Sequence, residues 1–156
     1  FKQIRGVIST QAGYANGTTP NPTYEEVYTD RTGYAETVKI CYDTVVVELR
    51  LLLELFFRSI DPTSLNRQGG DIGTRYRTGI YYTSKDDLHT IEEVYRDIER
   101  IVGEELMVEV EPLSSFYPAE EYHQDYLDKN PMGYCHIPFE LMIIAREANR
   151  RVNDAE

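Results

Sequence analysis

The 156 residues include no tryptophan, only two cysteines and three histidines, and 16 Lys and Arg set against 27 Asp and Glu, for a formal charge of −11. Each shortage excludes something. Phosphate backbones and anionic lipid surfaces are bound through basic surface, so neither nucleic acid nor a membrane is an expected partner. The longest apolar run, LLLELFF, is broken by Glu54 and falls far short of the roughly 20 residues that span a bilayer. Cys41 and Cys135 cannot supply the disulfide framework of a secreted domain. A reducing, cytoplasmic setting is expected, or a thiol with a chemical task. His89, His123 and His136 lack H-x-H or H-x-x-x-H spacing, so no metal site is expected.

What is present is a 41% hydrophobic chain, long enough for one buried core, and 13 tyrosines. Many tyrosines sit in turn-like strings: GYANG, NPTYEE, TGYAE and MGYCH. A ring that is buried must still satisfy its hydroxyl, so tyrosines gathered on loops suggest hydroxyls aimed into a pocket, although packing at the surface rim is the commoner use.

Periodicity gives an alternating order of elements. A strand is expected over Val7–Ala12, then a Pro- and Asn-punctuated loop, NGTTPNPT. ETVKICY, Glu36–Tyr42, alternates with Val38, Ile40 and Tyr42 on one face and Thr37, Lys39 and Cys41 on the other. Asp43 or Thr44 is positioned to cap a helix with Val47, Leu51, Leu52 and Leu55 at helical spacing up to about Ile60. After the long loop DPTSLNRQGGDIGTRYR come a strand in TGIYYT, a helix over Asp86–Val102 ended by Gly103, and a strand in LMVEVEP. PAEEYHQDYL reads as a short helix begun by Pro118, DKNPMGYCHI as a loop, and FELMIIAREANRRVNDAE as a terminal helix. Strict βαβ rhythm and a G-x-G-x-x-G opening are both missing. The expected class is α+β, a two-layer α/β sandwich: a ferredoxin-like mixed sheet with helices packed on it and long functional loops.

Taken singly, the candidate residues leave alternatives open. Cys135 lies in PMGYCHIP, where His136 could help ionise it, yet a plain structural thiol fits equally well. Cys41, on a strand, reads more readily as a small buried hydrophobe. Glu36 follows TGYA at a loop-to-strand junction, where burial could raise its pKa and make it an acid, although such glutamates are more often solvated. Asp71, in QGGDIG, reads as a brace for its loop.

The strings GYANGTTPNPTYEEV, TGYAETVKICYD, DPTSLNRQGGDIGTRYRTGIYY and AEEYHQDYLDKNPMGYCHI say more. In order and at comparable separations, they resemble the sequence blocks of peptide methionine sulfoxide reductase A over most of Phe1 to Ile137. The resemblance implies a thiol-dependent reduction of methionine-S-sulfoxide, free or in oxidised proteins and peptides, with no metal or organic cofactor and with thioredoxin as external reductant. It implies that Glu36 is the acid at the sulfoxide oxygen, that Tyr24 and Tyr76 are hydroxyl donors, and that Asp71, Tyr126 and Tyr134 line the pocket. Cys135 matches the resolving cysteine, which condenses with the sulfenic acid left on the nucleophile. Tyr34 stands where many relatives have histidine.

The nucleophile itself belongs, in that family, to a Gly-Cys-Phe-Trp-Gly segment that the 156 residues do not contain, in keeping with the missing tryptophan. The expected organisation is a catalytic domain over residues 1–138, lacking its first strand and nucleophile turn. Residues 139–156 then form a C-terminal helix or a linker toward a fused partner such as a reductase B domain. The alternative is a naturally truncated, non-catalytic module that binds methionine sulfoxide or another protein through its tyrosine-lined loops.

Overall fold

Two alternating segments pair to make the main sheet of the computed structural model, which describes residues 1–150. Strand β1 (Val7–Ala15) runs antiparallel to β2 (Ala35–Tyr42), with Tyr14 opposite Glu36 and Ala12 opposite Val38. The loop between them holds one short helix, α1 (Tyr24–Tyr28), whose N-terminus is capped by the Thr23 hydroxyl accepting from the Glu26 N–H at 3.2 Å. Periodicity has little to register in five residues, which is why the segment reads as loop.

Further along, α2 (Leu49–Arg58) leads to a tight hairpin, β3 (Arg67–Gln68) and β4 (Asp71–Ile72), followed by a 3₁₀ turn over Thr74–Tyr76. Strand β5 (Gly79–Tyr82), helix α3 (Leu88–Val102) and strand β6 (Glu109–Pro112) form a right-spaced crossover unit in which β5 and β6 pair in parallel. Strand β7 (Phe116–Pro118) then joins the free side of β1, giving the order β2-β1-β7. The chain is therefore α+β, with antiparallel and parallel pairing in the same molecule. Among the described residues, the strands fall into three separate small sheets.

The helices are fixed by two apolar clusters that meet on α2. One face gives Leu53 and Phe57 to a core with Ile91, Val94, Leu106 and Val108, on which Ile80 and Val110 of β5 and β6 also pack. The other gives Leu52 and Leu55 to a core with Ile4, Val47 and Ala145, joined by Ile40 and Tyr42 of β2. Truncating a buried leucine such as Leu53 to alanine costs about 2–5 kcal/mol by lost burial and residual cavity. Helix α3 ends as expected at Gly103, whose φ of +75° allows its N–H to close on the Glu99 carbonyl.

Two expected elements are different. Asp43 does not cap α2: its carboxylate accepts from the Val45 N–H in a turn, and the helix begins six residues later without a side-chain cap. The reason is Val47, which is drawn into the second core before the helical path starts. PAEEYHQDYL is not one helix either. It passes through the end of β7, a 3₁₀ turn at Glu121–His123 and left-handed Asp125 (φ +50°) before α4 (Tyr126–Lys129). Gln124 causes the break: its side-chain amide donates to the Ala12 and Ala119 carbonyls and accepts from the Ala12 N–H, acting as an extra rung beside β1.

The terminal helix is α5 (Phe139–Glu147), with Ala145 buried in the second core and the Asn149 amide donating to the carbonyls of Arg5 and Val46. Residues 151–156 of the expected terminal helix lie outside the described residues. Among the described residues, no helix is long and apolar enough to cross a membrane.

Candidate active site

Alternation along β2 buries Ala35 and turns Glu36 to the opposite face, toward the 3₁₀ turn that carries Tyr76. The Glu36 side chain is exposed to solvent, yet the protein crowded around it partly dehydrates its charged form. Burial raises its pKa; the nearby Arg75 cation opposes the rise, and the Asp71 and Asp30 carboxylates add to it. The net effect favours the protonated acid.

Tyr24 begins α1, and its ring lies 5.8 Å from that of Tyr28 and 4.6 Å from that of His123. Its hydroxyl pKa is raised by burial first, then by Tyr76 and Glu36. Tyr76 is likewise raised by burial, pulled down by Arg75 and pushed up by Glu36. Glu36 therefore acts on both phenols and Tyr76 on Tyr24, while Asp71 acts on both Glu36 and Tyr76.

The remaining expected residues form a neighbouring group. The Tyr134 hydroxyl accepts from the Gly70 N–H at 3.3 Å, and His136 abuts Gly69, so the Cys135 loop packs on the same turn that carries Asp71. Cys135 is partly buried, with the Ile137 N–H donating to its sulfur at 3.4 Å. Tyr126 reaches this loop from α4, its ring against Gly133, where any Cβ would sit 2.6 Å from a ring carbon. Its contact is thus with the base of the Cys135 loop. Cys41, expected to be buried, is exposed. Strand β2 is a sheet edge, and the face that Cys41 shares with Lys39 meets solvent while Ile40 and Tyr42 meet the core.

Two residues not singled out in the sequence, Glu120 and Arg75, complete the arrangement. Glu120 accepts from the buried Tyr14 hydroxyl at 2.8 Å and from the Tyr24 N–H at 2.9 Å. Burial pushes its carboxyl up, but these bonds, with one from its own N–H, outweigh that and hold it below the usual range. Arg75, 8% exposed, pairs with Asp30 at 2.6 Å and donates to the Tyr28 carbonyl at 3.2 Å. In sequence, Glu120 looks like an ordinary first-turn acid, and Arg75 differs from its neighbours only in being a cation among aromatics.

An open groove of about 440 Å³ lies between α2 and α3 and is lined by Arg50, Glu54 and Asp97. None of Glu36, Tyr24 or Tyr76 borders it, so convergence of side chains, not cavity size, identifies the site. Among the described residues, no cluster of three or more His, Cys, Asp or Glu side chains could hold a metal ion. What the arrangement can do is present a carboxyl that holds its proton more tightly than usual, with two phenols, as hydrogen-bond donors to one small polar group.

A family model described as peptide methionine sulfoxide reductase matches residues 1–154. The chain is 56% identical over 137 residues to the peptide methionine sulfoxide reductase MsrA of Lachnoclostridium phytofermentans, covering 88% of this chain and 82% of that protein. The reduced form of Mxr1 from Saccharomyces cerevisiae superposes with a TM-score of 0.80 at 39% identity, covering 83% of this chain and 75% of that one. Mxr1 in complex with Trx2 also matches, with a TM-score of 0.53 at 25% identity, over 78% of this chain and 67% of that one. Sequence and fold agree over most of the length, and the chain belongs to the peptide methionine sulfoxide reductase family, enzymes that reduce methionine sulfoxide at the expense of thiols.

Proposed function

We propose that Glu36, Tyr24 and Tyr76 grip and protonate the sulfoxide oxygen of methionine-S-sulfoxide. A thiolate attacking the sulfur can displace that oxygen only as it gains a proton, because a bare oxide is a poor leaving group. Glu36 supplies the proton, and the two phenols hold the oxygen as charge builds on it. Asp71 braces the loop beside them, and Tyr126 and Tyr134 wall the substrate's approach together with the Cys135 loop. The observation that carries this reading is a carboxyl kept toward its neutral form between two phenols that it perturbs in turn.

The net reaction takes the oxygen from the substrate and oxidises the attacking thiol to a sulfenic acid. The resemblance assigns that thiol to the Gly-Cys-Phe-Trp-Gly turn. Cys135 then condenses with the sulfenic acid, releasing water and forming a disulfide. Thioredoxin reduces the disulfide by thiol exchange, a role supported by the solved complex of the yeast relative with Trx2. No organic or metal cofactor enters the cycle, oxidised proteins and peptides are its substrates, and a reducing cytoplasm is its setting. Residues 1–138 belong to the catalytic unit and carry its acid, phenols and resolving thiol, with the segment that follows serving as its C-terminal helix.

The test is single-turnover and steady-state kinetics on protein expressed from the complete reading frame, with the separated R and S sulfoxide epimers. Expected is turnover of the S epimer only. In Cys135→Ser, about one equivalent of methionine should form before thioredoxin-dependent recycling stops. Undiminished recycling in that variant would remove Cys135 from the scheme.

A further inference from the structure

Arg75 occupies a position that the reaction scheme does not use. Its guanidinium carbon sits 4.2 Å from the ring centroid of Tyr28 and 4.4 Å from that of Tyr76. The Tyr28 ring in turn lies 5.8 Å from that of Tyr24. One continuous chain of ring and cation contacts, Tyr24–Tyr28–Arg75–Tyr76, thus connects α1 to the 3₁₀ turn, and its two ends are the phenols assigned to the sulfoxide oxygen.

The cation is fixed from the side as well. Nη1 donates to Asp30 Oδ2 and to the Tyr28 carbonyl, while the Arg75 backbone N–H and the Thr74 hydroxyl both donate to Asp30 Oδ1. Asp30 reaches this position from a left-handed backbone (φ +58°) just past the end of α1, a conformation that aspartate tolerates. Gly73 leaves room for the pair: with φ +140°, it would place any Cβ 2.7 Å from Asp30 Oδ2 and 2.8 Å from Arg75 Nη1. Backbone and side chains are all arranged around a single planar cation.

We propose that Arg75, held by Asp30, is a positioning residue that sets the spacing of Tyr24 and Tyr76. A planar guanidinium can stack on two rings at once and still donate in its own plane, which an ammonium cannot do. A bridge of this kind holds two elements 44 or more residues apart in sequence, on which two donors must converge to within hydrogen-bond reach of one atom. The inference rests on the roles proposed above for Tyr24 and Tyr76.

The test is a double-mutant cycle on protein from the complete reading frame, with Arg75→Met, Tyr76→Phe and the pair. Tyr76→Phe alone should lower kcat/KM for the S sulfoxide about tenfold, and no loss at all would show that the underlying reading of Tyr76 is wrong. Given that loss, Arg75→Met should lower kcat by about tenfold with a smaller change in KM, as misplaced donors do. Adding it to Tyr76→Phe should cost only about twofold more, because the ring it positions no longer carries a hydroxyl. Fully multiplicative losses, or wild-type kcat in Arg75→Met, would overturn the clamp. If Arg75→Met fails to fold, Arg75→Lys and Asp30→Asn take its place in the same cycle. Arg75→Lys keeps the charge and loses the planar stack, and should recover less than half of kcat; full recovery would also overturn the clamp.

Discussion

Two glutamates flank Tyr24 and are driven in opposite directions. Glu36 approaches from β2, accepts no hydrogen bond among the described residues that would stabilise its charge, and is pushed toward its neutral form by burial. Glu120 approaches from the segment after β7, accepts from the Tyr14 hydroxyl and the Tyr24 N–H, and is held ionised. Burial acts on both, and hydrogen-bond donors decide the outcome. The one deprived of donors is free to give a proton to a substrate. The one supplied with them fixes the residue beside it.

The largest effect should come from breaking this division of labour at Glu36. Glu36→Gln keeps the shape and one donor but has no proton to release, and kcat should fall by about 10²–10⁴, the usual contribution of a general acid. Thermal unfolding of the same variant should show equal or higher Tm at neutral pH, because the wild-type carboxylate is poorly hydrated there. A variant that loses activity and stability together would mean that Glu36 is a structural residue. Glu120→Gln should do the reverse, losing stability more than catalysis. Its neutral amide still accepts from Tyr24 but holds both donors less well, and in Glu120→Ala the hydroxyl of Tyr14, only 2% exposed, is left without a partner. That costs about 1–3 kcal/mol, readable by denaturant titration.

Acid–base titration sharpens the contrast. A carboxyl with a raised folded pKa binds more protons in the native state, so Glu36 contributes stability below the ordinary pKa of 4.5 that is lost as pH rises through its raised value. Glu120 has a lowered folded pKa, so its contribution is complete above 4.5 and is lost as pH falls through the lowered value. Unfolding free energy measured against pH should therefore lose part of its acid-side slope in Glu120→Gln and part of its slope above 4.5 in Glu36→Gln. Turnover follows the same logic, with kcat falling as pH rises through the raised pKa of Glu36. A kcat profile flat up to pH 8 would remove Glu36 as the proton donor.

The contrast between the two acids also marks what was legible in the sequence. The place of Glu36 at a strand start could be read because its determinants are local: a turn, the alternation that follows it and the blocks around them. Strands β1 and β2 and helix α3 with its Gly103 stop were legible for the same reason, since periodicity and capping are short-range signals. Glu120 was not, because its partners Tyr14 and Tyr24 lie 106 and 96 residues away. Gln124, reaching 112 residues back to Ala12, ended a helix that the local pattern favoured. The exposure of Cys41 was hidden likewise, because strand alternation cannot say which strand will form the edge of a sheet.

The smallest effect tests whether Glu120 does more than cap a helix. The N-terminus of α1 has two acceptors: the Thr23 hydroxyl takes the Glu26 N–H from within the turn, and Glu120 takes the Tyr24 N–H from across the fold. Helix starts leave such donors unpaired, and losing a threonine cap costs about 1 kcal/mol. In Thr23→Ala the exposed Glu26 N–H can turn to water, so Tm should fall by only about 2–4 °C. Glu120→Ala should cost more, because water cannot replace the bond to Tyr14 as it can an exposed cap. Equal losses in the two variants would reduce Glu120 to a distant cap on α1. A larger loss in Glu120→Ala, recovered by Tyr14→Phe in the same background, would identify the buried hydroxyl as the reason for an ionised acid at this position.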